Sequence, residues 1–212
     1  MISRWIIATN NEGKLLEFEK FFEGKASLES FKSIGKKSPE EPHKTFLENA
    51  LEKARYASLV TSLPSIADDS GLVVDYLGGL PGVRSARFAS ISSGRKRQQD
   101  EENIKKLLGC MKPAKTFAQR SCRFIATIVA LESHDDPDPI VSRGVWEGVV
   151  AFEPKGERGF GYDSIFYLPE EKKTAAQLLL HEKNEVSHRG KALKKMSSEL
   201  FLRFEKQKNV SG

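Results

Sequence analysis

Apolar residues occur as short compact runs in some stretches and at helical intervals in others. Residues 4–9 form a compact apolar run that reads as a strand. Residues 12–23 follow with Leu15, Leu16, Phe18, Phe21 and Phe22 at helical spacing, which predicts a helix. A second strand is predicted over 26–32, then a polar loop over 33–44 containing Pro39 and Pro42. A long helix is predicted over 45–62, ending before Pro64. At about 100° per residue, Phe46, Ala50, Lys53, Ala57 and Val60 share one face of it, with Asn49 on the edge. Residues 65–68 and 72–76 read as two strands meeting at Asp69-Ser70-Gly71, and 77–82 as a turn cluster. A polar helix is expected over 98–111. Strands are expected over 123–131, 140–145 and 147–152, with residues 135–139 as a hairpin loop between the first two. A further apolar run spans 165–168, and the last helix covers 188–206 with Leu193, Met196, Leu200 and Phe204 on one side. No internal repeat or linker-like tract breaks the pattern. It describes one α/β domain over 1–212, with room for two lobes.

Composition narrows the class. The chain has 212 residues, 39% of them hydrophobic, and a chain of that length buries roughly 70% of its unfolded surface. With only 16 Gly and 9 Pro, disordered and collagen-like classes are excluded. Apolar runs are too short for a membrane span or a secretory signal, so a cytoplasmic protein with no membrane partner is expected. Cys110 and Cys122 suit neither a disulfide framework nor a CxxC metal site, and the four His lack zinc spacing. The net charge of +5 is uneven: residues 1–80 carry 10 basic and 12 acidic side chains, the remainder 24 and 17. Such a balance suits a nucleic-acid surface or a site for small polyanions such as nucleotides, and also a solvated basic helix.

Six groups of residues carry candidate chemistry. Thr9, Asn10, Asn11, Glu12, Gly13 and Lys14 join a strand to a helix. Backbone N–H groups at a helix start attract anions and Lys adds a point charge, although a plain N-cap uses the same residues. Asp68-Asp69-Ser70-Gly71 places two carboxylates side by side, which suits Mg²⁺, although an Asx turn uses the same residue types. Lys53 lies in an apolar helix stripe, where it must snorkel, pair with a carboxylate such as Asp68 or Asp69, or line a polar cavity. Glu40-Glu41 are metal ligands or surface charge. Phe160, Gly161, Tyr162 and Asp163 offer a stacking ring, a joint and a carboxylate, and Lys183, His188 and Arg189 offer donors near the last helix.

Six collinear blocks give these residues a further meaning: ATNNEGK (8–14), EE…TFLENA…KA (40–54), ADDSGL (67–72), LGGLPGVRSARF (77–88), GFGYDSIF (159–166) and EKNEVSHRGKAL (182–193). In order and spacing the chain resembles the inosine/xanthosine triphosphate pyrophosphatases over about residues 4–204. The resemblance implies a two-lobed α/β fold around a long mixed β-sheet, with an inter-lobe substrate cleft, and a homodimer. It implies hydrolysis of ITP, dITP and XTP to the monophosphate and pyrophosphate, with Mg²⁺ as cofactor and no stable nucleic-acid partner. By matching position it implies that Thr9 to Lys14 hold the triphosphate and that Asp69 acts at the metal and activates water, with Lys53 beside it. Glu40 would share the metal and Ser70 would touch substrate. Phe160 to Asp163 would stack on and grip the base, with Lys183, His188 and Arg189 as base donors.

Ser164 stands where the family commonly has Pro, Pro42-His43 replaces a small Gly-containing turn, and Arg84 replaces an aromatic. The second of these leaves Glu40 and Glu41 as alternative ligands. Attack on an α-phosphorus needs neutralised phosphate charge and an aligned water, which Lys14, Lys53, Asp69 and Mg²⁺ would supply. Two other readings compete. One is a related pyrophosphatase for modified pyrimidine or methylated nucleotides, which would lack the SHRGKAL block. The other is a basic nucleic-acid-binding module, which would need basic residues interleaved with aromatics on one face.

Overall fold

The computed structural model describes residues 4–23, 27–31, 33–35, 39–90 and 96–210. Among these, strands β1 (Arg4–Ile7), β2 (Ser27–Ser30), β3 (Ser65–Val74), β4 (Ser121–Leu131), β5 (Ile140–Val150), β6 (Phe166–Leu168) and β7 (Lys173–Thr174) form one sheet in the order β2-β1-β3-β4-β5-β6-β7. The sheet is mixed. β1 runs parallel to β2 and β3, with Ile7 opposite Ser30 and Ile66, while β6 is antiparallel to both β5 and β7. The helices are α1 (Glu12–Phe22), α2 (Phe46–Thr61), α3 (Lys96–Cys110), α4 (Leu180–Val186) and α5 (His188–Val210).

The chain packs as two compact units. The first comprises the chain up to Asp69, Ala126–Gly144, and everything from Arg189 on; the second comprises Ser70–Ile125 and Val145–His188. In the first unit, strand periodicity sorts the core by face. Trp5, Ile7 and Ile66 pack with Phe18 and Phe22 of α1 and Leu193 and Met196 of α5. Their alternate neighbours Ile6, Ala8 and Ala67 pack with Ala50, Ala54 and Ala57 of α2. Burial on both faces explains why β1 reads as an unbroken apolar run rather than an alternation. The second unit has its own core of Leu72, Leu107, Met111, Phe124, Trp146, Val150 and Phe166. Arg120 is buried in that unit, where its guanidinium donates to the carbonyls of Met111, Ala114, Val150 and Ala151.

Several expectations need correction. The strands predicted over 65–68 and 72–76 are one strand, β3, which runs straight through Asp68, Asp69, Ser70 and Gly71. Strong turn formers stay extended here because the two carboxylates have cationic partners in the fold. The runs 140–145 and 147–152 are likewise one strand, β5, ending at Val150. Leu16, one of the apolar positions of α1, is 60% exposed. The short helix α4 was not foreseen; a Glu182 carboxylate accepting the Leu179 N–H at 2.7 Å closes its start. The side chain of Phe204 lies outside the described residues.

Candidate active site

The segment after β1 is a helix cap and more. Asn11 has extended backbone angles, and its Oδ1 accepts the N–H groups of Gly13 (3.0 Å) and Lys14 (3.4 Å). Thr9 Oγ1 in turn accepts the Asn11 N–H at 3.2 Å. These bonds satisfy two of the N–H groups that an α-helix leaves open at its start. Asn10 and Glu12 are exposed and Gly13 is half-buried. Lys14 turns inward, with Nζ 3.0 Å from Asp68 Oδ1. Burial lowers its pKa from the ordinary lysine value against the opposing pull of Asp68.

Strand alternation sends the two adjacent carboxylates to opposite faces of β3. Asp68 follows Ile66 to the face covered by α1 and α5. Its Oδ1 meets Lys14 and its Oδ2 accepts Arg189 Nε at 3.2 Å, while Arg189 Nη1 donates to Glu17 of α1 at 2.5 Å. Burial alone would raise the Asp68 carboxyl, but Lys14 and Arg189 hold it well below the usual carboxylate range. Asp69 follows Ala67 to the α2 face. Asn49 Nδ2 donates to its Oδ2 at 3.1 Å, and Lys53 Nζ stands 3.5 Å from its Oδ1.

Lys53 also donates to the Asp68 carbonyl at 2.6 Å and to Glu41 Oε1 at 2.9 Å. Its place on the α2 stripe is therefore resolved as pairing with carboxylates: burial opposes its charge, but Asp69, Glu41 and Asp68 outweigh burial and raise its pKa. Asp69 moves the other way from Asp68. Burial, reinforced by the negative charge of Glu41, lifts it above the ordinary range despite Lys53 and Lys14. A carboxylate so placed is a stronger proton acceptor than an exposed one.

Glu40, expected as a metal ligand, is exposed, and the structure brings Glu41 to the Lys53–Asp69 cluster instead. The reason lies in the turn that follows. Asn49 clamps the backbone of His43, accepting its N–H at 3.0 Å and donating to its carbonyl at 3.3 Å. Among the described residues no group of three or more His, Cys, Asp and Glu side chains gathers around one point. The nearby Glu41 and Asp69 are a donor set of hard oxygens, which fits Mg²⁺ held by one or two carboxylates plus substrate phosphates.

The remaining predicted residues lie in the second unit, apart from Arg189. Phe160 N–H donates to Asp163 Oδ2 at 2.9 Å, and Lys183 Nζ donates to the same oxygen at 2.6 Å. The Phe160 ring is half-exposed, with the ammonium groups of Lys183 and Lys96 at 5.0 and 5.1 Å from its centroid. The Gly161 N–H donates to Asp100 Oδ2 at 3.0 Å. Asp163 was expected to grip the base, yet that carboxylate oxygen already accepts two donors and closes the loop. Tyr162 is buried, its hydroxyl donating to the Ser85 carbonyl at 2.9 Å. His188 is buried too, stacked on Phe124 at 4.7 Å between centroids. Ser70 is half-buried. Arg189, expected among the base donors, instead bonds Glu17 and Asp68 in the first unit.

Sequence reasoning missed Glu17, Asn49 and Asp100 and undervalued Asp68. Only Asn49 left a signal, its place one turn before Lys53 at the edge of the same helix face.

Fold and site define the class: a mixed-sheet α/β protein with buried carboxylates and cations interlocked midway along β3. No helix among the described residues is long and apolar enough to cross a membrane. The chain belongs to the Ham1 family, whose family model matches residues 5–199. It is 46% identical over 190 residues to the dITP/XTP pyrophosphatase of Escherichia coli (strain K12), spanning 89% of this chain and 93% of that protein. Its identity to the dITP/XTP pyrophosphatase of Nitrosomonas europaea is 43% over 196 residues, 92% of this chain and 93% of the other. The solved structure of a HAM1 protein from Coxiella burnetii is similar with a TM-score of 0.84 and 40% identity, covering 95% of this chain and 99% of that one. The Staphylococcus aureus Ham1 protein follows with 0.80 and 35%, over 95% and 99%.

Proposed function

We propose that this protein hydrolyses ITP, dITP and XTP to the nucleoside monophosphate and pyrophosphate. One observation carries the reading: Asp69, lifted in pKa, is held on both carboxylate oxygens by Asn49 and Lys53 beside Glu41. The names of the relatives supply the substrate class. Lys14 and Lys53 face the negative charge of the triphosphate, with Thr9 to Gly13 at the helix start beside it. Asp69 takes a proton from water as the water oxygen attacks the α-phosphorus. The bond from that phosphorus to its bridging oxygen breaks, and pyrophosphate leaves with the electron pair. Mg²⁺, bound through Asp69 and Glu41, would neutralise phosphate charge and favour the departure of pyrophosphate. Ser70 contacts the substrate, and Phe160 stacks on the base while Lys183 presents a donor to the C6 oxygen of hypoxanthine or xanthine; adenine carries an amino donor there. Cytoplasmic placement and a homodimer are part of the same reading.

The test is a panel of nucleoside triphosphates with Mg²⁺ and separate readouts for pyrophosphate and orthophosphate. ITP is expected to give IMP and pyrophosphate in one step. Orthophosphate as primary product, or accumulating IDP, would show that a different anhydride is cleaved.

A further inference from the structure

Asp69 is held from a single helix. Asn49 and Lys53 stand four residues apart on α2, so they lie on one side of it one turn apart, and each reaches a different oxygen of the same carboxylate. Asn49 is 1% exposed, and a buried amide normally uses its polar atoms fully. Here Oδ1 accepts the His43 N–H, and Nδ2 divides its donors between the His43 carbonyl and Asp69 Oδ2. The amide therefore joins two things that the chain separates: the backbone two residues beyond Glu41, and the carboxylate on β3. Thr45 fixes the helix end that carries it, its hydroxyl accepting the Glu48 N–H at 3.2 Å.

We infer that Asn49 is a positioning residue, setting the orientation of Asp69 and tying it to the placement of Glu41 through the His43 backbone. The inference rests on Asp69 being the acceptor in the proposed reaction. Displacing a reacting group by about 1 Å costs on the order of 10²-fold in rate, which sets the scale of the effect.

Asn49→Asp keeps the acceptor for the His43 N–H but loses the amide donor that reaches both the His43 carbonyl and Asp69. The double-mutant comparison is therefore what separates positioning from loop anchoring. With ITP and Mg²⁺, kcat is expected to fall about 10²-fold with KM little changed, and the thermal midpoint to drop, because a second buried carboxylate then faces Asp69. Added to Asp69→Asn, the same substitution should cost nothing more, because Asn49 acts through that carboxylate. Parent-like kcat in folded Asn49→Asp, or a further loss in the Asp69→Asn background, overturns the inference. If Asn49→Asp does not fold, Asn49→Ser is judged by the same double-mutant rule. Undiminished turnover in Asp69→Asn alone would instead sink the proposed function, so the two failures are distinguishable.

Discussion

Asp68 and Asp69 are consecutive, both buried, and shifted in opposite directions. The cause is strand geometry: one carboxylate meets Lys14 and Arg189, the other meets one lysine, an amide and a second carboxylate. Held low, Asp68 contributes stability that is fully present above its unfolded pKa of about 3.9 and is lost only as pH falls through its folded value. Held high, Asp69 contributes in the reverse sense, and its contribution is gone once pH has risen through its folded value. At pH 7 without Mg²⁺, Asp68→Asn is therefore expected to cost about 3–5 kcal/mol by leaving two buried cations short of their shared carboxylate. Arg189→Ala should resemble it, since Glu17 and Asp68 then lose the guanidinium they share. Asp69→Asn should unfold no earlier than the parent while losing nearly all turnover. Denaturant midpoints of the three variants test this, and an Asp69→Asn midpoint as low as that of Asp68→Asn would contradict it.

The loop before β6 shows how an element depends on one backbone position. Gly159 has φ +79°, and a Cβ there would stand 2.1 Å from Asp163 Oδ2. That oxygen is bound by the Phe160 N–H and by Lys183, so it cannot retreat without releasing both. Gly159→Ala is expected to displace the Phe160 ring and the Lys183 ammonium together. KM for ITP should rise and the preference for ITP over ATP should narrow, at a stability cost of about 1–3 kcal/mol. Steady-state kinetics with both nucleotides, beside a thermal melt, measure each effect; an unchanged ITP/ATP ratio would remove Lys183 from base recognition.

Over the whole molecule, the ionic pairs of the first unit's described residues are made between protein charges. Lys14, Asp68, Arg189 and Glu17 alternate in sign, and Lys53 satisfies Glu41 and Asp69. Chelating Mg²⁺ should thus abolish turnover while leaving the circular dichroism spectrum and thermal midpoint in place, and added Mg²⁺ should restore the rate. Unfolding on chelation would give the metal a structural role instead.

The elements were legible in the sequence because local rules govern them. The apolar run of β1 and the 3.6-residue period of α2 both survive in the structure. Of the three outcomes open to Lys53 in its apolar stripe, the structure takes pairing with carboxylates. What only tertiary structure decided was which partner each charge takes. Turn propensity argued for a break at Asp69-Ser70-Gly71, yet β3 stays extended because Lys14 and Arg189 on one face, and Lys53 and Asn49 on the other, compensate the buried charge. Glu40 and Glu41 are equivalent by composition, and the Asn49 clamp on the His43 backbone favours Glu41. Arg189 stood beside the other expected base donors in the sequence, but its partners Glu17 and Asp68 lie 172 and 121 positions away. Pairings across such separations depend on the packing of α1, β3 and α5, for which no local pattern carries a signal.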